Sequence, residues 1–108
     1  MMHAAALKAI DFKDSLVVCY PDIEPLLLKE LNALRDQLIL LPDNTPTKQI
    51  LLLFQHCVEQ LKQIDDDETL ESGIDTEERE GLCDALYRMG DIVGLDSESE
   101  YIENWREW

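Results

Sequence analysis

Apolar residues recur along this chain at three- and four-residue steps, and the longest such run lies between Thr45 and Ile64. There Ile50, Leu53, Phe54, Cys57, Leu61 and Ile64 mark one buried helix face. Leu51 and Val58 widen it, leaving Gln55, Glu59, Gln60, Lys62 and Gln63 for water. So broad a stripe needs covering on more than one side, which predicts the central helix of a bundle. Thr45 is the expected N-cap, and Pro46 suits the first helical position, where an N–H would have no intrahelical partner.

A second periodic run precedes it. Ile23, Leu27, Leu31, Leu34, Leu38 and Leu41 step along one face, with Lys29, Glu30, Asn32, Arg35 and Asp36 on the remaining surface. Tyr20-Pro21-Asp22 opens this helix, with Asp22 as the expected cap, and Pro42-Asp43-Asn44 closes it. A turn this short makes the two helices antiparallel neighbours. Upstream, the first dozen residues, with Ala4, Ala5, Ala6, Leu7, Ala9 and Ile10, predict a short helix ending near Lys13, uncapped and prone to fray at its start. Leu16, Val17, Val18 and Cys19 form an apolar run with no second strand to pair with, and read as a packed linker.

The second half has clearer punctuation. Asp75, followed three residues on by Glu78, forms a capping box, and Glu77 adds charge to the favoured first turn. Leu82, Ala85, Leu86, Met89, Ile92 and Val93 form the buried stripe, and Gly94 followed by Leu95 predicts a Schellman ending. Gly90 inside this helix costs roughly 1 kcal/mol against alanine, which implies a close crossing. Ser97 and Glu100 form another capping box, opening a last helix through Tyr101, Ile102 and Trp105 to Trp108. The pattern gives an all-α fold: a small bundle of four to five helices around a central antiparallel helical hairpin. Residues 1–108 form one domain, with an acidic loop at about 65–74 where Gly73 and three aspartates stop the central helix.

Charge sharpens this picture. The formal net charge is −15. Residues 1–64 hold 8 acids and 6 bases, and residues 65–108 hold 16 acids and 3 bases, so the front carries −2 and the rear −13. Such a field repels nucleic acid and anionic membranes and attracts a cationic partner. Nine carboxylates crowd between Asp65 and Glu80, opposed only by Arg79. They do not form a calcium EF-hand, because the sixth residue from Asp65 is Leu70 where a glycine is required.

Other chemistry is sparse. Cys19, Cys57 and Cys83 are odd in number, widely spaced and without a C-x-x-C pair, and read as reduced, buried thiols. His56 adjoins Cys57, but neighbours on a helix point about 100° apart. Glu59 follows His56 by three and makes a surface pair, too few groups for a metal or a general base. No catalytic signature, cofactor motif or metal site is expected. There is no apolar run of about 18 residues and no signal-peptide pattern, which points to the cytoplasm. Leu28, Ile39 and Leu52 add apolar side stripes to the hairpin that terminal helices or a second copy of the chain would cover.

The segments Ser72-Gly-Ile-Asp-Thr-Glu-Glu-Arg-Glu, Ile92-Val-Gly-Leu and Ile102-Glu-Asn-Trp-Arg-Glu-Trp108 resemble a group of small acidic bacterial proteins of unassigned function. That group has a Ser-Glu-Ile-Glu-Thr-type helix start, a helix ending in a glycine, and a terminal Arg-Asp-Trp; here Gly73 and Asp75 replace two of those acids, and Arg106-Glu107-Trp108 replaces the ending. The resemblance implies a bacterial origin and a helical fold. The function expected from the charge distribution is an interaction module binding a basic protein, with an immunity protein against a nuclease-type toxin as its concrete form. Asp65, Asp66, Asp67, Glu68, Glu71, Glu77, Glu78, Glu80 and Trp108 are the expected contact residues. The alternative is a small structural or regulatory homodimer whose acids serve solubility.

Overall fold

A computed structural model describes residues 3–108, and no strand occurs among them. Four α-helices carry the architecture: α1 (Ala4–Lys8), α2 (Glu24–Leu40), α3 (Thr47–Asp66) and α4 (Thr76–Ile92). Single 3-10 turns occupy Phe12–Asp14, Ser97–Ser99 and Tyr101–Asn104. This is the all-α bundle that the apolar spacing predicts. Met1 and Met2 of the expected first helix lie outside the described residues, and that helix ends at Lys8 instead of near Lys13, where Asp11 caps a separate 3-10 turn by accepting the Lys13 N–H.

The two long helices of the hairpin pack along each other, burying Leu27, Leu31, Leu34 and Leu38 of α2 with Ile50, Phe54, Cys57, Val58 and Leu61 of α3. Of the two, α2 is the hub. It packs against α1, the Phe12–Asp14 turn, α3 and α4, whereas α3 meets chiefly α2 and the closing turn. One apolar core joins all these elements. The Cα radius of gyration, 13.4 Å, is close to the ~13 Å expected of a folded chain this long. Leu28 and Ile39 are half-buried against that core, so the chain itself covers part of the hairpin's side stripes, and Leu52 stays exposed.

Helix ends depart from expectation where a cap has a competing partner. Thr45 does not cap α3. Its hydroxyl donates to the Pro42 carbonyl at 2.7 Å to close the turn, and Pro46 takes the cap position. Asp22 does not cap α2 either, because its carboxylate accepts the Ser72 N–H at 3.0 Å and Ile23 stands at the cap. At the other end of α3 the aspartates do not stop the helix at Ile64. It runs to Asp66, whose carboxylate pairs with Lys62 one turn back at 2.6 Å.

The ends of α4 match the sequence. The Asp75–Glu78 capping box forms at its start. Gly94 has φ +90°, Leu95 N–H donates to Gly90 O at 2.8 Å and Gly94 N–H to Asp91 O at 3.3 Å, the two bonds of a Schellman ending. The crossing at Gly90 is with the closing turn: a Cβ there would lie 1.8 Å from the Tyr101 hydroxyl oxygen. The expected last helix from Ser97 to Trp108 does not form. Asp96, not Ser97, caps by accepting the Glu98 N–H, and Glu100 at φ 51° splits the segment into two 3-10 turns. That reversal drops Tyr101 and Ile102 together into the core, where Tyr101 meets Phe54 and Tyr87 edge-on.

Candidate functional site

The acid-rich segment spans the last residues of α3, the connection to α4 and the first turn and a half of α4. Its carboxylates divide by what they touch. Asp65 accepts the Ile74 N–H at 2.7 Å, folding the connection back on the helix it leaves. Asp67 accepts both the backbone N–H and the hydroxyl of Thr69, at 2.9 and 2.6 Å, which makes the irregular turn ahead of half-buried Leu70. Hydrogen bonding from Thr69 holds the Asp67 carboxyl below its ordinary range, and hydrogen bonding from Ser72 does the same for Asp22. Asp66 pairs with Lys62, whose ammonium is held protonated to higher pH by that contact.

Glu78 is the one buried charged residue of the segment, 3 % exposed. Its two carboxylate oxygens accept separate backbone N–H groups, Oε1 from Asp75 at 3.1 Å and Oε2 from Tyr20 at 3.3 Å. It therefore joins the start of α4 to the connection between α1 and α2. Tyr20 completes the clamp by donating its hydroxyl to Asp75 at 2.8 Å, which raises the phenol above its ordinary pKa.

The carboxylates of Glu68, Glu71, Glu77 and Glu80 are exposed and make no hydrogen bond or ion pair among the described residues. Arg79, the sole base within the segment, forms no ion pair among the described residues, and its buried Nε has no hydrogen-bond partner among them. The segment's charge is thus left largely uncompensated by the chain's own cations, Asp66 excepted.

Two of the sequence-predicted contact residues lie inside. Glu78 is tied as above. Trp108 is 6 % exposed, and its indole N–H donates to the Val58 carbonyl at 3.2 Å on α3. Arg106 lies over its ring at 5.4 Å and donates to its backbone carbonyl, while also pairing with Glu103 at 2.9 Å. Trp108 is therefore a core residue and is unavailable as a surface anchor.

Spacing also missed a surface. The run from Leu16 to Cys19 is not a uniformly packed linker: Leu16 is buried, but Val17 and Val18 stand 79 % and 60 % exposed beside the start of α4. Nothing in an unpaired apolar run reveals which of its members turn outward.

All three cysteines are free thiols. Burial pushes Cys57 up to about 12 and Cys19, with help from Glu78, Glu24 and Asp22, up to about 11. Neither has the depressed pKa that makes a thiolate nucleophile. His56 and Glu59 are both exposed. Among the described residues no three His, Cys, Asp or Glu side chains are grouped to hold a metal ion, and no helix is long and apolar enough to cross a membrane.

No curated protein and no solved structure matches this chain. One family model does, over residues 13–107, which takes in everything from the first 3-10 turn to the penultimate residue. The chain belongs to that family, described as a domain of unknown function, DUF4844.

Proposed function

We propose that this chain is an interaction module whose acidic rear binds a basic protein, in its concrete form an immunity protein occupying the nucleic-acid cleft of a nuclease-type toxin. The observation that carries this reading is the missing internal neutralisation. Glu68, Glu71, Glu77 and Glu80 face solvent without a partner, although the segment's other carboxylates are tied. Solubility alone needs a net charge of roughly 2 to 8 in a domain this small, well below the −15 carried here. Free, clustered carboxylates steer a cationic partner during encounter and raise specificity more than raw affinity. The raised pKa values of Cys19, Cys57 and Cys83 make none of them a ready nucleophile, which favours binding over catalysis.

Purification of the tagged chain from its own host at low ionic strength tests this. The expected result is a strongly basic co-purifying protein that is released at about 0.5 M salt. Adding the chain back is expected to suppress that protein's nuclease activity, and Glu68→Lys, Glu71→Lys, Glu77→Lys and Glu80→Lys combined to abolish capture. Retention that ignores salt, or that survives the fourfold variant, overturns the reading. A homodimer is the second reading, favoured by the exposed Leu40 and Leu52 on the hairpin. A light-scattering mass of one chain at micromolar concentration rules it out.

A further inference from the structure

Six large apolar side chains are well exposed among the described residues, and three of them, Val17, Val18 and Tyr20, fall in a single four-residue stretch. That stretch is pinned at both ends. Phe12 and Leu16 are buried before it and Ile23 after it. The Ser15 carbonyl lies so close to α4 that a Cβ on Gly81 would come within 2.0 Å of its oxygen. Tyr20 is held by Asp75 and Glu78. The two valines are displayed on a fixed backbone, so covering them requires little further ordering of the chain.

Beside this ridge lie two adjoining hollows of about 370 and about 390 Å³, which share Val18 and Glu77. Their charged lining is wholly acidic: Asp14, Asp75, Glu77, Glu78, Glu80 and Asp84 contribute, and no lysine or arginine does. An apolar strip rimmed by a single sign of charge is complementary to a segment that is both apolar and oppositely charged.

We infer that the Val17–Val18 ridge is the docking site for a cationic protein segment bearing large apolar side chains, which seat on the valines while its flanking lysines or arginines reach Glu77, Glu80 and Asp84. This deepens the proposed function and rests on it. A second copy is not the occupant, because a two-fold contact would set the same acidic rim against itself.

The test is a titration of the isotope-labelled full chain, followed by amide NMR shifts at low salt. Two probes are compared: a short peptide alternating lysine with leucine, and its equal-length, equal-charge counterpart alternating lysine with serine. The leucine peptide is expected to bind roughly tenfold tighter, the scale of covering two valines, with shifts centred on Val17, Val18 and the first turns of α4. Val17→Ser with Val18→Ser, both at exposed positions, is expected to equalise the two peptides, and Glu77→Lys with Glu80→Lys to weaken both. Equal binding of the two peptides to the wild-type chain, or shifts centred elsewhere, overturns the ridge and leaves the basic-partner reading in place. Failure of both peptides to bind in a salt-sensitive way removes both.

Discussion

The two long connections of this molecule are built in opposite senses. The one between α3 and α4 follows directly on the most acidic run of the sequence, yet much of the charge there is turned inward on the backbone: Asp65 at the end of α3 holds Ile74, Asp67 holds Thr69, and Asp22 of the other connection reaches across to hold Ser72. The connection between α1 and α2 carries its acids more sparsely, yet it displays Val17 and Val18 to water and is clamped there by Asp75 and Glu78. The difference teaches that charge density along a chain is a poor map of the charge left free for a partner. A carboxylate bonded to two backbone N–H groups, as Glu78 is, is part of the fold, and on the proposed reading the four unbonded glutamates matter more than the aspartate run that first draws notice.

The largest expected effect comes from breaking the clamp that displays the valines. Gly81→Ala drives a Cβ into the Ser15 backbone, which cannot swing aside, and is expected to cost about 3 kcal/mol in chemical denaturation. Gly90→Ala meets the end of the Tyr101 side chain instead and is expected to cost less. A loss at Gly81 below that at Gly90 would show the connection to be slack. Next comes Glu78→Ala, which strands the N–H groups of Asp75 and Tyr20 and is expected to cost about 2 kcal/mol, with faster hydrogen exchange at Tyr20.

Smaller effects separate tied from free carboxylates directly. Asp65→Ala is expected to cost about 1 kcal/mol through the lost bond to Ile74. Glu68→Ala and Glu71→Ala are expected to stay within about 0.5 kcal/mol of wild type. Equal costs at all three would erase the distinction. The mildest test is pH. Asp22 and Asp67 titrate below the ordinary 3.8 in the folded chain, so the unfolded chain takes up these protons first. Their contribution is complete above 3.8 and is lost as pH falls through the lower folded values. Tyr20 and Cys57 are raised, so theirs is complete below 10.0 and 9.0 respectively and fades as pH rises through the folded values, about 12 for Cys57. Asp22→Asn is expected to flatten the acid limb of a stability profile and leave the alkaline limb alone.

What could be read from the sequence was local. The apolar faces of α2 and α3 and both ends of α4 follow from residues within one or two turns, since a capping box and a Schellman ending close on themselves. Some misreadings were local as well, since Thr45 bonds Pro42 and Asp96 caps in place of Ser97, but others had a partner far along the chain. Asp22 is drawn from its expected cap by Ser72, and Trp108 is drawn inward by Val58, each fifty positions away. Counting charges likewise overlooks that a carboxylate's best partner is often an uncharged N–H, as for Asp65 and Glu78. The inward turn of Leu16 and the outward turn of Val17 and Val18 depend on the Ser15–Gly81 contact between α4 and a segment that carries no periodic signal.

The most direct test matches two charge reversals of equal size. Glu77→Lys with Glu80→Lys alters the start of α4, and Glu59→Lys with Glu98→Lys alters exposed carboxylates on α3 and beyond the far end of α4. Both pairs change the net charge equally, so long-range attraction falls alike in each. Affinity for the co-purifying basic protein, measured by calorimetry, is expected to fall at least about tenfold further for the first pair than for the second. Equal losses, or a greater loss for the second pair, would contradict a contact at the start of α4.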